Sequence, residues 1–410
     1  MPGIADNPGK WSVNPLNFAP AVTSAWHAPA RVGILDSTVR KITGTAGAKY
    51  TPEDIAELTQ MADGLGVRWI EVNLVHGPMP STPKLRAMMN AIAKRKHNFL
   101  LVGTAFRTKE TIDHAIENGA DAVSIGLGDD LAEARKWQEY VVSKGKKVAT
   151  TMGARVEHLT VDKVVERLNF VAQLPVEYIG IHENTGATSP DAWRYLMTEV
   201  HRRLVRDVPI VPHIHNVFGQ AVASAVSAVL GGAKGIDVTL NGIGTHSGMP
   251  ALEEVVTNLE LLYGIETGID LSLLRAYSDM LERLCRFAPH PNKAITGRMT
   301  FIDELDPFIA SIVESRKTGK QRVHGLNPAV VGGEFFPVWG ENAIHGQGNK
   351  AKLEAMGLRH DPETVRTVNQ ALEEALLAKE KRDEYPYYLT ELEFEALARR
   401  TVGSTATSAR

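Results

Sequence analysis

Residues 210–242, IVPHIHNVFGQAVASAVSAVLGGAKGIDVTLNG, contain one complete unit of the pattern that decides the fold. A short β-branched run at 210–216 precedes a helix of small apolar residues, and a second β-branched run follows at 235–242. The same alternation of strand and helix extends from residue 31 to residue 264. It predicts eight strands, which are RVGILDST (31–38), RWIEVN (68–73), NFLLVGTAF (98–106), AVSIGLG (122–128), KVATTMG (147–153), EYIGIHEN (177–184), IVPHIHN (210–216) and GIDVTLNG (235–242).

Eight strands that alternate with helices, at roughly 30 residues per unit, predict a (β/α)8 TIM barrel. The alternative is a doubly wound open sheet, which usually has a Gly-rich phosphate turn after its first strand, and no GxGxxG follows ILDST here. We therefore predict an α/β protein in which a TIM barrel is followed by a small α-rich C-terminal subdomain. The predicted segments are an N-terminal arm (1–30), the barrel (31–270), a post-barrel helical linker with the C-terminal subdomain (271–400) and a disordered tail (401–410).

Composition limits the class of protein. The 410 residues are 43% hydrophobic and 23% charged, which is typical of a globular chain and excludes a wholly disordered or fibrous one. The formal net charge of −3 gives no reason to expect nucleic acid or an anionic membrane as a partner. No apolar run approaches the ~18–20 residues of a membrane span, the N-terminus lacks a signal-peptide pattern, and Cys285 is the single cysteine. A cytoplasmic location is therefore expected.

The histidine pair in HIHN is the most specific candidate for a functional site in this sequence. Active sites of TIM barrels lie at the C-terminal ends of the strands. Residues i and i+2 of a strand point to the same face, so His213 and His215 are both expected to project into the mouth of the barrel. Two imidazoles on one face form a chelate for a divalent metal, although two ordinary polar residues at a strand end produce the same pattern.

Charged and polar residues follow the other strands. Arg40 and Lys41 are adjacent cations after the first strand, and such a pair suits a small-molecule substrate that carries a carboxylate or phosphate. A pair of solvated surface charges is the alternative interpretation. The further candidates at strand ends are Glu71 (second strand), Arg155 (after the fifth), Glu183 and Asn184 (sixth), Asn216 (seventh) and His246 (after the eighth).

Several stretches of the sequence resemble one enzyme family. ILDSTVR resembles the opening strand of the family that contains 2-isopropylmalate synthase, homocitrate synthase, citramalate synthase and 3-hydroxy-3-methylglutaryl-CoA lyase. HIHNVFGQAVASAVSAVLGGAKGIDVTLNGIGTHSGMPALEEVV resembles the block from the seventh strand to the eighth helix of that family. PHPNKAITGRMTF, VHGLNPAVV and FPVWGENAIHG resemble the post-barrel subdomain of the synthase branch, which the lyase branch lacks.

The resemblance implies a divalent metal, held by the two histidines and by an Asp after the Arg of the first strand, which chelates a 2-oxo acid. It also implies that the Arg stabilises an oxyanion, that a Glu supports this group, and that acyl-CoA is the cosubstrate. A post-barrel His helps to deprotonate acetyl-CoA, often across a homodimer. The positions that match are Arg40, Glu71, His213, His215 and Asn216, with His324 as the counterpart of the subdomain His.

The chain departs from the family pattern where the metal ligands are implied. Lys41 stands where the family has Asp, and Met249 stands where the family often has Asn after the eighth strand. Thr151 and Val217 likewise replace carboxylates of the pattern. We therefore expect the usual metal site to be weakened or lost. The remaining alternative is a set made of the two histidines with either Glu71 or Asp36.

Lys41 admits three interpretations. As an ammonium group it repels a dication, and it then does part of the work of the metal by holding the substrate carboxylate and polarising its carbonyl. Beside Arg40, in a closed pocket, its pKa falls, and the neutral amine forms a Schiff base with a 2-oxo acid. In the third interpretation Lys41 fills a site that has lost its chemistry.

Three functional hypotheses follow. The first is a Claisen-type acyltransferase that condenses an acyl-CoA with a 2-oxo acid, in which Arg40, Lys41, Glu71 and His324 are catalytic. The second is a metal-independent carbon–carbon lyase or aldolase that uses Lys41. The third is a pseudoenzyme that binds a metabolite.

Overall fold

The computed structural model describes residues 6–7, 9–73, 75–76, 79–80, 82–153, 158–319 and 325–408. They form two compact units, one comprising Asn14–Pro289 and the other combining Asp6–Val13 with the chain from His290 onward. Among these residues, no helix is both long and apolar enough to cross a membrane.

The first unit is built on eight parallel strands. They are β1 (Gly33–Asp36), β2 (Trp69–Val72), β3 (Leu100–Ala105), β4 (Ala122–Gly126), β5 (Lys147–Met152), β6 (Val176–Glu183), β7 (Ile210–Ile214) and β8 (Gly235–Val238). Hydrogen bonds join them in the order β7-β6-β5-β4-β3-β2-β1-β8. The sheet is therefore a nearly closed barrel with its seam between β7 and β8, and the predicted TIM-barrel fold is confirmed.

In the described part of this unit, helices surround the strands or follow them. They are α1 (Thr38–Gly44), α2 (Pro52–Leu65), α3 (Pro83–Ala93), α4 (Lys109–Glu117), α5 (Leu131–Ser143), α6 (Val161–Val171), α7 (Pro190–Arg203), α8 (Ala221–Leu230), α9 (Leu252–Thr257) and α10 (Leu274–Cys285). Helix α2 shows why the local sequence folds this way: Thr51 and Asp54 form a capping box, Pro52 occupies the first turn, and Gly66 ends the helix with a φ of 94°.

Shorter elements complete the unit. They are a helical turn (Pro20–Thr23), 3₁₀ turns (Pro15–Phe18, Leu240–Gly242, Leu271–Leu273), a π turn (Asn258–Leu262) and a small pair of strands (Val75–His76 with Met79–Pro80). The turn Leu240–Gly242 directly follows β8 and belongs to the mouth of the barrel.

The second unit is α-rich. Its helices are α11 (Asp306–Thr318), α12 (Gln347–Ala355), α13 (Pro362–Lys381) and α14 (Glu391–Ser408), with 3₁₀ turns at Pro328–Val331 and Glu341–Ala343 and a strand pair of Ile302–Asp303 with Phe336–Pro337. In its core the rings of Trp339 and Phe394 stack with centroids 4.3 Å apart. The predicted α-rich subdomain is therefore observed.

The borders of the units differ from the predicted segments in three places. Helix α10 belongs to the barrel unit, although the sequence placed it in the linker after residue 270. Part of the predicted arm, a hairpin of Asp6–Asn7 with Trp11–Ser12, belongs to the second unit, where Trp11 pairs with Leu326. Helix α14 continues to Ser408, within the segment 401–410 for which the sequence predicts disorder.

The bottom of the barrel is closed by one large ring. Trp69 is fully buried on β2, and its indole packs edge-on to Tyr178 of β6 at 5.4 Å between centroids. A Cβ atom at Gly33 would lie 2.5 Å from the Trp69 ring, and one at Gly235 would lie 2.7 Å from the side chain of Val211. Glycine is therefore required at both positions, because the Trp69 indole fills the space beside Gly33 and the Val211 side chain fills the space beside Gly235.

We predict that Gly33→Ala lowers the free energy of unfolding by about 1–3 kcal/mol, because a buried indole has no room to move. Gly126→Ala is the matched control, since the nearest atom to its Cβ lies 3.8 Å away, and it should change stability by less than about 0.5 kcal/mol. Urea unfolding followed by circular dichroism measures both. Equal losses from the two variants would contradict this account of the packing.

Candidate active site

The histidine pair lies at the carboxyl end of β7, inside the mouth of the barrel. His213 and His215 are 1% and 3% exposed. Their Nε2 atoms lie 3.3 Å apart, which confirms on the atomic scale that the i, i+2 spacing places both rings on one face.

The outer nitrogens of both rings face oxygen acceptors. His213 Nδ1 lies 2.5 Å from Asp237 Oδ2 on β8, and His215 Nδ1 lies 3.1 Å from the carbonyl oxygen of Thr245. Because a carboxylate and a carbonyl accept hydrogen bonds, the hydrogen-bond pattern assigns the proton of each neutral ring to Nδ1. Both Nε2 atoms therefore present lone pairs to the same point.

Lys41 occupies that point. It lies in the first turns of α1, which begins directly after β1, and its Nζ lies 3.3 Å from Nε2 of His213 and 3.3 Å from Nε2 of His215. An ammonium group has only donors, so it satisfies two lone pairs that would otherwise face each other in a dry site. The structure thus gives Lys41 a specific partner set.

Burial and charge shift the pKa values of these three groups in one direction. Burial, followed by the charge of Arg40, lowers the pKa of Lys41 to about 8. Burial and the Lys41 charge lower the pKa of His215 to about 4, and the same two causes hold the pKa of His213 well below its usual value. At neutral pH the charged member of the cluster is therefore Lys41, and the imidazoles are neutral.

Arg40 forms the second cationic position. Its Nη1 lies 2.6 Å from Oε2 of Glu71 on β2, and the carboxylate is 1% exposed whereas the arginine side chain is 21% exposed. Burial raises the pKa of Glu71, and the charge and hydrogen bond of Arg40 oppose that shift. Glu71 therefore fixes the position of the guanidinium through a charge-assisted hydrogen bond to Nη1.

Charge is balanced within the buried part of the site. Arg40 and Lys41 carry positive charges, and Glu71 and Asp237 are the two carboxylates that interact electrostatically with both. Burial raises the pKa of Asp237 to about 6, so this carboxylate is ionised at neutral pH. Two cationic side chains therefore face two carboxyl groups, which compensate for the burial of charge.

Two further histidines flank the pair. His182 of β6 stacks on His213, with centroids 4.1 Å apart and planes 13° apart. His246 is exposed and packs edge-on to His215 at 5.4 Å, and its φ of 52° lies in the left-handed region. His246 thus lies beside the histidine pair, and its contact with substrate stays a prediction.

The remaining predicted residues have mixed placements. The Glu183 side chain accepts hydrogen bonds from Thr185 of its own loop, and Asn216 Oδ1 accepts from the backbone of Ala221 at the start of α8, so these contacts hold loops in place. Asn184 is partly exposed after β6. The structure gives no placement for the two other predicted residues, because Arg155 and His324 lie outside the described residues.

Sequence reasoning missed Asp237, whose carboxylate sets the His213 tautomer. The signal was present, because Asp237 interrupts the apolar run of β8 at a position that alternation directs into the barrel. An acidic residue within a strand that is buried throughout indicates a fixed partner inside the protein.

Comparison with known proteins shows what this chain is similar to. The chain is 30% identical to the putative (R)-citramalate synthase CimA of Methanopyrus kandleri over 92% of this chain and 74% of that protein. It is 29% identical to the homocitrate synthase AksA of the same organism, over 83% of this chain and 86% of that protein. The crystal structure of the HMG-CoA lyase of Bacillus subtilis superposes with a TM-score of 0.57 at 17% identity, covering 64% of this chain and 96% of that one, and shows the shared barrel fold.

The family profile described as HMGL-like matches residues 31–281, which include all eight strands and most of α10. This range covers more than half of the chain, and it contains the mouth residues from Arg40 to His246. The resemblance inferred from the sequence blocks is thereby confirmed, and the chain belongs to the HMGL-like family.

Proposed function

We propose that this chain condenses an acyl-CoA with a 2-oxo acid in a Claisen-type reaction, and that the Lys41 ammonium takes the place of a divalent metal. The observation that carries the proposal is the position of Nζ, 3.3 Å from both imidazole nitrogens and one residue after the arginine that pairs with Glu71. The synthases among the relatives support the reaction class.

The donor set does not fit a divalent ion as it is arranged. An ion ~2.1 Å from two Nε2 atoms would compete with Nζ for the same lone pairs. At an effective dielectric constant of about 20, a dication and an ammonium about 3.5 Å apart repel each other by roughly 10 kcal/mol. The side chain of residue 249 supplies no oxygen either, because it is a buried methionine.

A second group of potential ligands, His182, His213 and Asp237, lies close together in the same region. The two rings are stacked nearly parallel, so the lone pairs in their planes do not converge on one ion. Asp237 already binds His213 Nδ1 at 2.5 Å, which is too short a separation for two ligands of one metal at ~2.1 Å each. The reaction is therefore derived without a metal.

In the proposed reaction Lys41 and Arg40 act on the 2-oxo acid. Their charges bind its carboxylate and polarise its carbonyl group, and they stabilise the oxyanion that forms when the acyl carbon adds to the carbonyl carbon. One carbon–carbon bond forms, the former carbonyl oxygen takes up a proton, and water cleaves the thioester to release CoA. The resemblance assigns removal of the acyl proton to His324.

A second candidate function is favoured by one observation. The pKa of Lys41 is about 8, so roughly a tenth of the groups are neutral amines at pH 7. A neutral amine attacks the carbonyl carbon of a 2-oxo acid, the carbonyl oxygen leaves as water, and uptake of one proton gives a protonated Schiff base. The chain would then be a metal-independent lyase or aldolase.

Activity tests the reaction class. We predict that the full-length chain releases free CoA from acetyl-CoA in the presence of one member of a 2-oxo acid series of increasing chain length. Arg40→Gln should lower kcat/KM by about 100-fold or more, because it removes an oxyanion donor. Arg68→Gln is the control, since this exposed arginine pairs with Glu177 away from the mouth. The absence of turnover with the whole series would reject the synthase, and retained ligand-induced stabilisation would then favour the pseudoenzyme.

Metal content tests the role of Lys41. Protein purified without chelator should contain less than a tenth of an equivalent of divalent metal by elemental mass spectrometry. Lys41→Asp should acquire close to one equivalent, because it exchanges the cation for a third ligand beside two neutral imidazoles. Lys41→Met is the matched control, which removes the charge without adding a ligand. Stoichiometric metal on the unmodified chain would contradict the proposal.

The pH profile separates the two candidate functions. The ammonium form predominates below pH 8 and is lost as the pH rises through that value, so condensation assisted by the ammonium should slow above pH 8. Catalysis through an imine needs the neutral amine and should accelerate over the same range. Borohydride reduction in the presence of the active 2-oxo acid is the companion measurement. The ammonium role predicts no adduct, and a stable adduct on Lys41 would establish the imine.

A further inference from the structure

Helix α10 places two adjacent hydroxyl groups against the ends of two barrel strands. Tyr277 and Ser278 are buried. The Tyr277 hydroxyl donates to Oδ2 of Asp36, the last residue of β1, at 2.6 Å. The Ser278 hydroxyl donates to Oδ1 of Asn241, which follows β8, at 2.8 Å. A single turn of α10 therefore contacts the ends of both β1 and β8, which pair with each other in the sheet.

The two strand ends are also bonded to each other. The backbone amide of Thr38 donates to Oδ1 of Asp36 at 2.8 Å, and the Thr38 hydroxyl donates to the same oxygen. The amide of Leu240 in turn donates to the Thr38 hydroxyl oxygen at 2.8 Å. Asp36 is 2% exposed, so both of its oxygens depend on these protein partners.

Each strand end leads directly to one part of the lysine–imidazole cluster. Thr38 is the first residue of α1, and Lys41 lies one turn later in this short helix. The segment after β8 returns over the same lysine: a Cβ atom at Gly244 would lie 3.6 Å from Cδ of Lys41. The next residue, Thr245, supplies the carbonyl oxygen that faces His215 Nδ1. A shift of either strand end therefore moves Nζ relative to the imidazoles.

We propose that Tyr277 and Ser278 are positioning residues, which hold the ends of β1 and β8 so that Lys41 meets His213 and His215. They act through Asp36 and Asn241 and have no role in contacting substrate. Only the catalytic consequence rests on the proposed function, because the geometry that they hold is a property of the free protein.

The arrangement explains why α10 belongs to the barrel unit. Burial of a tyrosine hydroxyl and a serine hydroxyl side by side costs free energy unless each has a hydrogen-bond partner. Here each hydroxyl has an acceptor at the mouth. The acceptor of the Tyr277 hydroxyl is the carboxyl group of Asp36. Burial raises the pKa of Asp36, and the hydrogen bonds from Thr38 and Tyr277 oppose that shift.

The test measures the chemical reactivity of Lys41 in the full-length chain without substrate. Brief acetylation at pH 7 with an amine-specific reagent, quantified by mass spectrometry, gives the modification rate of Lys41 relative to exposed Lys94. Tyr277→Phe removes the donor to Asp36 and keeps the ring. We expect the relative rate of Lys41 to rise at least threefold, because Nζ leaves its two acceptors. Ser278→Ala should raise it at least twofold through the β8 side.

Tyr263→Phe is the matched control, since it makes the same chemical change in a partly buried tyrosine of the same unit that packs on Trp26. Its relative rate should stay unchanged. A lower melting temperature for Tyr277→Phe with an unchanged relative rate would show a purely structural role and overturn the proposal, as would an equal rise in Tyr263→Phe. If Tyr277→Phe does not fold, an unchanged rate in Ser278→Ala overturns it. Labelling needs no turnover, so failure of the proposed reaction leaves this test intact.

Discussion

Two imidazole nitrogens with lone pairs, 3.3 Å apart inside a nearly closed barrel, require a hydrogen-bond donor between them. Asp237 and the carbonyl oxygen of Thr245 accept hydrogen bonds from the Nδ1 atoms of the two rings. The proton of each neutral ring is therefore on Nδ1, and neither Nε2 can donate to the other. The fold meets this requirement with a tethered cation, the Nζ of Lys41. The charge balance of the site, the path of the loop after β8 and the placement of α10 are all consistent with that one requirement.

A tethered ammonium differs from a metal ion in ways that shape the chemistry. It cannot dissociate, and it binds substrate by donating hydrogen bonds where a metal would accept lone pairs. It carries one charge where a divalent ion carries two, and the neighbouring Arg40 supplies the second. Its charge also depends on pH near neutrality, because burial and Arg40 lower the pKa of Lys41 to about 8. In the proposed function, control by proton concentration would replace control by metal supply.

The barrel could be read from the sequence because its signals are local. β-branched runs, helix caps such as Thr51 and terminal glycines such as Gly66 act over a few residues, and period two in HIH places both histidines on one face. The adjacent Arg40 and Lys41 were likewise identified as mouth residues. The sequence does not show which residues contact Lys41. Its partners, His213 and His215, lie 172 and 174 positions later in the chain, and the contact depends on where two strands end.

Two features that the sequence places elsewhere also depend on long-range contacts. The periodicity of strand and helix stops before α10, so nothing local shows that Tyr277 reaches Asp36, 241 positions earlier in the chain. The hairpin around Trp11 belongs to the second unit through pairing with Leu326, which is also invisible to a window of neighbouring residues. Local pattern therefore predicts the elements, whereas the cluster arises from long-range closure of the barrel.

The most direct measurement is the protonation state of the histidine pair, obtained by ¹⁵N NMR of the chain with labelled histidine at pH 7. The account predicts that His213 and His215 are both neutral with the proton on Nδ1, and that Lys41→Met changes the Nε2 shifts of these two rings and leaves exposed His360 unchanged. A proton on Nε2 of either ring, or Nε2 shifts that do not respond to the loss of the lysine, would contradict the claim that Lys41 is the cation of this site.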